Sequence, residues 1–127
     1  MNADASVLNG ISGDTIGCAL TVANTLGCGF LEKVYENALA HELRRAGLAV
    51  RQQASATVRY DGIVVGQYIT ELLIEQEAAV ELKAVRARDN VPRAQCINFL
   101  RASGLRLCLL LNFGRPRLEI RRLVWRL

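Results

Sequence analysis

Histidine is nearly absent from this chain, and paired cysteines are missing altogether. The 127 residues include one histidine, His41, and none of the four cysteines belongs to a CxxC pair. Zinc sites and dithiol redox centres are built from such pairs or from Cys/His clusters, so neither is expected. His41 is given no functional role. Free cysteine behaves as a small apolar side chain, so we expect reduced and mostly buried thiols at Cys18, Cys28, Cys96 and Cys108.

Long apolar runs are missing as well. The longest, Leu105–Phe113, is interrupted by Arg106 and is far shorter than the ~20 residues that a membrane-spanning helix needs. The first ten residues hold no basic cluster before an apolar run, so no signal peptide is expected. These absences predict a cytoplasmic protein that does not enter a membrane. A composition of 51% hydrophobic and 22% charged residues predicts one folded domain over residues 1–127.

Positive charge is carried almost entirely by arginine. Of the 16 lysine and arginine residues only Lys33 and Lys83 are lysine, and the net charge is +4. This excess permits a polyanionic partner such as nucleic acid. Because the chain uses arginine for general positive charge, a lysine within an apolar strand indicates a chemical role for Lys83.

Hydrophobic periodicity predicts two helices at the start of the chain. The first covers Ile11–Leu26, with Ser12 as its cap, and the second runs from about Phe30 to Ala46 before the glycine cap Gly47. The sequence Gly27-Cys28-Gly29 separates them. The predicted inner stripes are Ile16, Ala19, Leu20, Ala23 and Leu26 on the first helix, and Val34, Ala38, Leu39 and Leu43 on the second.

The rest of the chain predicts strands and one further helix. Asp61-Gly62 is typical of a hairpin turn. The third helix starts at Asn90 or Pro92 and runs to about Ala102. The predicted strands are Val50–Tyr60, Ile63–Glu75, Ala78–Val85, Leu105–Phe113 and Arg117–Leu127. Together these elements predict an α+β fold with a mixed β-sheet flanked by helices.

The third strand carries the pattern most typical of a catalytic site. Strand side chains alternate, so Glu81 and Lys83 share one face. A carboxylate and an ammonium group in an apolar strand are costly to bury unless they are paired or used. If the preceding turn is centred on Gln76, the hairpin register sets Glu71 opposite Glu81 on that face.

Two acidic side chains and a lysine suit phosphodiester hydrolysis. Glu71 and Glu81 can hold Mg²⁺, a hard cation that takes oxygen ligands. Such a metal polarises the phosphoryl oxygen and lowers the pKa of a bound water. Lys83 can orient that water or offset charge that develops on the phosphate. The alternative is an exposed strand face on which Lys83 pairs with a glutamate.

Two other polar side chains could reach the same site. Glu32 recurs with Gly29 and Tyr35 at intervals of three residues and could add a third acid. Gln95 shares a helix face with Phe99 and could contact substrate or a metal-bound water. The alternative for both is an ordinary surface position. Arginines that follow the third strand, where phosphates could be held, are Arg86, Arg88 and Arg93.

The segment Gly29-Phe30-Leu31-Glu32-Lys33-Val34-Tyr35 resembles the signature of the bacterial GxxExxY protein family. The similarity extends in order from about Ile11 to Leu123, through Gly66-Gln67-Tyr68, Val80–Val85, Ala94-Gln95, Asn98–Leu100 and Leu109–Gly114. That family is placed in the PD-(D/E)XK nuclease superfamily. The resemblance therefore implies a restriction-endonuclease-like core and nucleic-acid cleavage that depends on Mg²⁺ or Mn²⁺.

The resemblance also implies residue roles. The family's acidic positions fall on Glu32, Glu71 and Glu81, which would bind the metal. Its catalytic lysine falls on Lys83, and its helical glutamine falls on Gln95. The chain departs from the family pattern at four positions: Glu71 replaces aspartate, Ala23 and Pro92 replace histidines, and Phe99 replaces tyrosine.

The leading hypothesis is a small metal-dependent nuclease that acts on DNA or RNA. So small a protein has little surface to clamp a duplex, so we expect a homodimer or a larger partner complex. The alternative is an inactive module of the same fold that binds nucleic acid or a protein. A third hypothesis is a structural protein that uses the fold only for assembly. The first predicts metal binding, the second salt-sensitive nucleic-acid binding without metal dependence, and the third neither.

Overall fold

The computed structural model describes residues 5–86 and 93–125. It contains three helices and five strands within those ranges, in the order expected from the sequence. In chain order they are α1 (Ala5–Leu26), α2 (Glu32–Arg45), β1 (Val50–Tyr60), β2 (Ile63–Ile74), β3 (Ala78–Lys83), α3 (Arg93–Ser103), β4 (Leu107–Asn112) and β5 (Glu119–Val124). The predicted α+β class, with a mixed sheet flanked by helices, is confirmed.

The five strands form one sheet in the order β1-β2-β3-β4-β5. Neighbouring strands are antiparallel except β3 and β4, which are parallel and are connected through α3. A parallel connection needs a crossover of this kind, and a helix provides it. Helices α1 and α2 pack on one apolar cluster of the sheet, and α3 packs on a second.

The central strands are buried on both faces. Every residue of β4 is buried, and in β3 only Lys83 is partly exposed. A strand that helices cover on both faces has an almost continuous apolar sequence, and this explains the apolar run Leu107–Leu111. Glu81, in the middle of β3, is therefore only 1% exposed.

Helix α1 starts earlier than predicted, at Ala5 rather than Ile11. Ser12 is therefore buried within the helix and does not cap it. The inner stripe is also different, because it includes Thr15, whose hydroxyl donates to the Ile11 carbonyl at 2.7 Å. Leu20, predicted to be internal, is 42% exposed. The buried positions are Leu8, Ile11, Ser12, Thr15, Ala19 and Val22.

The turn between α1 and α2 is closed by Tyr35. Its hydroxyl donates to the Gly27 carbonyl at 2.6 Å and accepts the Phe30 N–H at 3.2 Å. Its buried ring stacks on Phe113 with the centroids 4.8 Å apart. Gly29 has φ 115°, a conformation that favours glycine. The glycine and tyrosine of the Gly29–Tyr35 segment are thus structural, and they fix where α2 begins.

Helix α2 starts at Glu32, and its buried positions differ from the predicted inner stripe. Val34 is exposed, while Tyr35 and Glu36 are buried beside Leu39 and Leu43. Tyr35 and Glu36 were not included in the predicted stripe because it was drawn from aliphatic residues at helical spacing. Gly47, at φ 90°, donates to the Arg44 carbonyl and ends the helix as predicted.

Both hairpin turns use left-handed residues. Asp61 and Gly62 connect β1 to β2 with φ values of 53° and 78°, as the type I′ turn requires. Glu75 and Gln76 connect β2 to β3 with φ values of 54° and 57°. The pair Ile74↔Ala78 centres this second turn on Gln76, which is the predicted register.

Several strand ends lie inside the predicted limits. β3 ends at Lys83 rather than Val85, β4 begins at Leu107 rather than Leu105, and β5 covers Glu119–Val124. The predicted helix starts Asn90 and Pro92, and the predicted last strand residue Leu127, lie outside the described residues. No helix within the described ranges is long and apolar enough to cross a membrane.

Candidate active site

Strand β2 separates from β3 at the position of Glu71. The last paired residues are Leu72 and Val80. Beyond them, side chains replace the backbone ladder: the Thr70 hydroxyl donates to the Val80 carbonyl at 2.9 Å, and Glu71 Oε1 accepts the Leu82 N–H at 2.8 Å. Glu71 therefore occupies the place where a neighbouring carbonyl would lie, directly beside β3.

The ladder between β1 and β2 is interrupted at the same level. The pairing passes from Gln52↔Leu72 to Ala54↔Thr70, and it omits Gln53 and Glu71. Gln53 has a left-handed φ of 55°, which a non-glycine residue adopts at some cost. Glu71 is consequently outside the regular pairing of both its neighbouring strands, and its position depends on its own side chain.

Glu81 is the most unusual residue of the site. It is 1% exposed, and within the described part of the chain neither Oε1 nor Oε2 has a hydrogen-bond partner. Burial, and then the neighbouring charge of Glu71, raise the pKa of Glu81 to about 9. An isolated carboxylate is very costly to bury, so without a cation Glu81 is protonated at neutral pH.

Lys83 is the last residue of β3 and is partly exposed. No carboxylate of the described residues forms an ion pair with it. Its charge nevertheless acts on Glu32, which locates it within electrostatic reach of the acidic group. The alternative from the sequence was that Lys83 forms a surface ion pair with a glutamate. The described residues contain no such ion pair.

The backbone around Lys83 is fixed by the loop after β4. The Phe113 N–H donates to the Lys83 carbonyl at 2.8 Å. The buried Asn112 amide accepts from the Val85 N–H at 3.1 Å and donates to the Val85 carbonyl at 3.0 Å. A Cβ on Gly114 would collide with the backbone of Val85. These contacts tie the end of β3, where Lys83 lies, to the loop after β4.

Glu32 is the first residue of α2 and is partly exposed. Burial raises its pKa, the charge of Lys83 lowers it, and the charges of Glu71 and Glu36 raise it further. These contributions indicate that Glu32 lies within electrostatic range of Glu71 and Lys83. The start of α2, set by the Tyr35 hydrogen bonds, determines this approach.

Gln95 lies in the first turn of α3 and is half-buried. Among the described residues no hydrogen bond connects it to Glu71, Glu81 or Lys83. Its neighbour Cys96 is fully buried, and the charge of that thiol contributes to the raised pKa of Glu81. Helix α3 therefore covers Glu81 through Cys96, a residue that the sequence pattern did not single out.

Glu36 is a second buried acid, but its charge is compensated. It is 2% exposed and pairs with Lys33 at 3.0 Å. The side-chain amides of Gln52 and Gln53 donate to it at 2.7 and 2.8 Å. This network joins the first turn of α2 to the interrupted part of β1, one helical turn from Glu32. In the sequence, Glu36 follows Glu32 by four residues, which places both on the same face of α2 and could have indicated this second acid.

The donor set at β3 fits a hard divalent cation in part. Glu71 and Glu81 supply carboxylate oxygens, which suit a hard cation, and the two Glu81 oxygens are buried without a described hydrogen-bond partner. However, no three His, Cys, Asp or Glu side chains within the described ranges are arranged to hold a metal. Glu32 is near enough to act on the site electrostatically, and it is not part of a ready-made cluster.

Arginines follow Lys83 in the chain and occur in the loop after β4. Arg115 Nη1 donates to the Arg86 carbonyl at 3.1 Å and its Nε lies 3.7 Å from Glu119. Arg86 itself is exposed. Arg93 begins α3 and is also exposed, while Arg88 lies outside the described residues. Of these arginines, only Arg115 has a described contact with the segment that follows β3.

Comparison with known proteins identifies the family. The family model for the PD-(D/E)XK nuclease superfamily matches residues 9–123, which is most of the chain. This chain belongs to the PD-(D/E)XK nuclease superfamily. The matched residues include Glu71, Glu81 and Lys83. Members of the superfamily typically use divalent metals and act on nucleic acid.

A solved structure supports the fold independently. The crystal structure of SSO0001 superposes with a TM-score of 0.58 at 14% sequence identity, over 75% of this chain. This chain spans about half the length of that protein, since 50% of SSO0001 is covered. At this level of identity the similarity concerns the fold alone. A search of curated proteins found no match.

Proposed function

We propose that this protein is a metal-dependent nuclease that cleaves phosphodiester bonds of DNA or RNA. Glu71 and Glu81 would hold Mg²⁺ or Mn²⁺, with Glu32 as an additional acid. Lys83 would act at the attacking water or the phosphate, and Gln95 would assist. The observation that carries the proposal is the buried carboxyl group of Glu81, which has no hydrogen-bond partner among the described residues and lies beside the carboxylate of Glu71.

A metal ion would fit this site because it would offset the negative charge of two neighbouring carboxylates. A divalent cation would compensate both carboxylates, and it would replace the proton that Glu81 holds without it. When bound, such a cation lowers the pKa of a coordinated water and polarises a phosphoryl oxygen. Glu71 would be held ready for it by the Leu82 N–H, which fixes one carboxylate oxygen.

Lys83 would supply the positive charge that the metal does not. Its ammonium group carries three donors and forms no ion pair with a described residue. Lys83 lies at a strand end that hydrogen bonds of Asn112 and Phe113 hold in place. A fixed donor near a developing negative charge contributes without reorganisation. Arg86 and Arg93, exposed beyond Lys83, would hold neighbouring phosphates of the substrate.

Membership of the GxxExxY family is part of the same proposal. Its support is the ordered set of motifs from Gly29–Tyr35 through Leu109–Gly114, within the superfamily match to residues 9–123. A single domain over the whole chain and a cytoplasmic location are proposed with it. The four described cysteines are free, which suits a reducing compartment.

Calorimetric titration with Mg²⁺ and Mn²⁺ tests the proposal directly. The wild type is expected to bind one of these ions and Glu81→Gln to bind neither, because the variant cannot supply a charged oxygen. Single- and double-stranded DNA and RNA are then tested for cleavage in the same buffers. Glu77→Gln is the matched control, because Glu77 is half-buried in the β2–β3 turn and outside the site.

The inactive-module alternative has a separate outcome in this experiment. Its support is the lack of a third metal ligand in position among the described residues. It predicts no metal binding and no cleavage, together with nucleic-acid binding that weakens as salt increases. Metal binding that is unchanged in Glu81→Gln would contradict the proposed site, even if the protein cleaves nucleic acid.

A further inference from the structure

The hairpin of β1 and β2 extends well beyond the rest of the sheet. β2 has 12 residues, and only Leu72, Leu73 and Ile74 pair with β3. From Ile63 to Ile69, β2 pairs with β1 alone among the described residues. Among the described residues, the edge of β2 along Ile63–Ile69 therefore presents unpaired backbone donors and acceptors. Such an edge can add another strand.

Much of the exposed surface of this projecting arm is apolar. Five large apolar side chains are exposed by at least 47%, and none belongs to either core cluster: Tyr60, Ile63, Val64, Val65 and Ile69. They are β-branched or aromatic, and thus suited to a strand surface. An isolated two-stranded hairpin is marginally stable in water, so an exposed apolar arm of this length is expected to be covered.

The arm itself is anchored rather than loose. Ala56 and Tyr68, which pair across its two strands, pack against the second core cluster with α3. Helix α3 thus supports one face of the hairpin, and no described residue pairs with the β2 edge. A strand edge held in shape before association loses less conformational freedom when it binds.

The charge of the arm restricts what can cover it. β2 has no charged residue from Ile63 to Thr70, and the tip carries one charge of each sign, Arg59 and Asp61. A nucleic-acid backbone needs several cations, and Arg59 alone does not supply them. A second copy of the same edge meets no like charge along Ile63–Thr70, and it offers the same apolar surface in return.

We propose that two copies of this chain associate through the β2 edges of their hairpin arms, paired antiparallel about a two-fold axis. A two-fold interface uses the same patch on both subunits, which an uncharged strand edge satisfies. Exposed apolar side chains that become cross-strand neighbours would then contact each other. The inference does not depend on catalysis or on metal binding.

Analytical ultracentrifugation of the wild type over a dilution series tests the inference. The expected mass at high concentration is twice the 14.0 kDa of one chain. Val65→Lys is expected to restore the single-chain mass, because lysine on an exposed strand edge opposes pairing. Leu20→Lys is the matched control, since Leu20 is a 42%-exposed apolar residue on α1, and its variant is expected to keep the double mass.

Circular dichroism of each variant separates lost association from lost folding. If Val65→Lys does not fold, Ile63→Lys, nearer the tip and 66% exposed, decides the matter in the same way. A wild type that stays at the single-chain mass at every concentration overturns the inference. So does a double mass that survives the folded lysine variant, or a mass that grows beyond two chains.

Discussion

Glu71 accepts the backbone N–H of Leu82 at 2.8 Å, so a side-chain oxygen replaces a strand carbonyl at the opening between β2 and β3. One carboxylate therefore has two tasks. It completes the hydrogen bonding of a buried strand, and it places negative charge beside Glu81. Substitutions of Glu71 must be chosen so that the two tasks are separated.

Glu71→Gln is expected to fold normally and to lose metal binding, because the amide oxygen still accepts the Leu82 N–H while the charge is gone. Glu71→Ala is expected to lose metal binding and also about 1–3 kcal/mol of stability, since it leaves that N–H unsatisfied. Urea unfolding and calorimetric metal titration of both variants check this. Equal free energies of unfolding for the two variants would show that the hydrogen bond from Leu82 does not stabilise the fold.

The stability of the metal-free protein is expected to fall as pH rises from about 4.5 to about 9. The pKa of Glu81 is raised to about 9 in the folded protein, whereas a glutamate in the unfolded chain has the ordinary value of 4.5. Between these values the unfolded chain releases the proton and the folded chain keeps it. The unfolded state thus binds fewer protons, and the free energy of unfolding decreases by up to about 1.4 kcal/mol per pH unit from this group. Chemical unfolding across the pH range in a chelating buffer measures it.

Glu81→Gln is the control for that slope, because glutamine does not titrate. Its free energy of unfolding is expected to be nearly flat over the same interval where the wild type declines. A wild type as flat as the variant would mean that Glu81 is ionised in the fold, with a cationic partner outside the described residues.

Metal binding is expected to release about one proton near neutral pH. Glu81 is protonated without metal because of its raised pKa, and a metal ligand must be deprotonated. Apparent affinity should therefore rise with pH up to about 9 and level off above it. Titrations in two buffers of different ionisation enthalpy count the protons. No difference in heat between the buffers would argue against Glu81 as a ligand.

Sequence periodicity was sufficient for the part of the site that local rules control. Strand alternation put Glu81 and Lys83 on one face, and the turn centre at Gln76 gave the register of β2 on β3. Both follow from neighbours a few residues apart. The element order and the mixed sheet followed from the same patterns, with helix α1 as the main error in length.

Tertiary contacts decided what the sequence could not show. The burial of Glu81 depends on α3 and on β4, which lie far along the chain. The compensated charge of Glu36 depends on Gln52 and Gln53 of another element. A pattern of single residues cannot distinguish a buried acid with three donors from one with none, although that difference separates a structural carboxylate from a candidate ligand.

Tyr35→Phe is expected to cost about 1–3 kcal/mol of stability. The ring can still stack on Phe113, but the Gly27 carbonyl and the Phe30 N–H lose their hydroxyl partner. The start of α2, and with it Glu32, would be less firmly fixed. Tyr60→Phe is the control, since Tyr60 is 75% exposed and should lose nothing measurable. Similar unfolding midpoints for the two variants would contradict a closing role for Tyr35.

Gly114→Ala is expected to destabilise the protein by about 1–3 kcal/mol and to lower cleavage as well, because the added methyl group needs space that is already filled. A Cβ at position 114 would collide with backbone atoms of Val85 and Ala84, directly after Lys83. Backbone cannot move aside as a flexible side chain can, so the end of β3 must shift. Gly66→Ala is the matched control, because nothing lies within 4 Å of its Cβ position. Denaturant unfolding of both variants gives the comparison. A stable Gly114→Ala protein with normal turnover would show that the loop after β4 does not position Lys83.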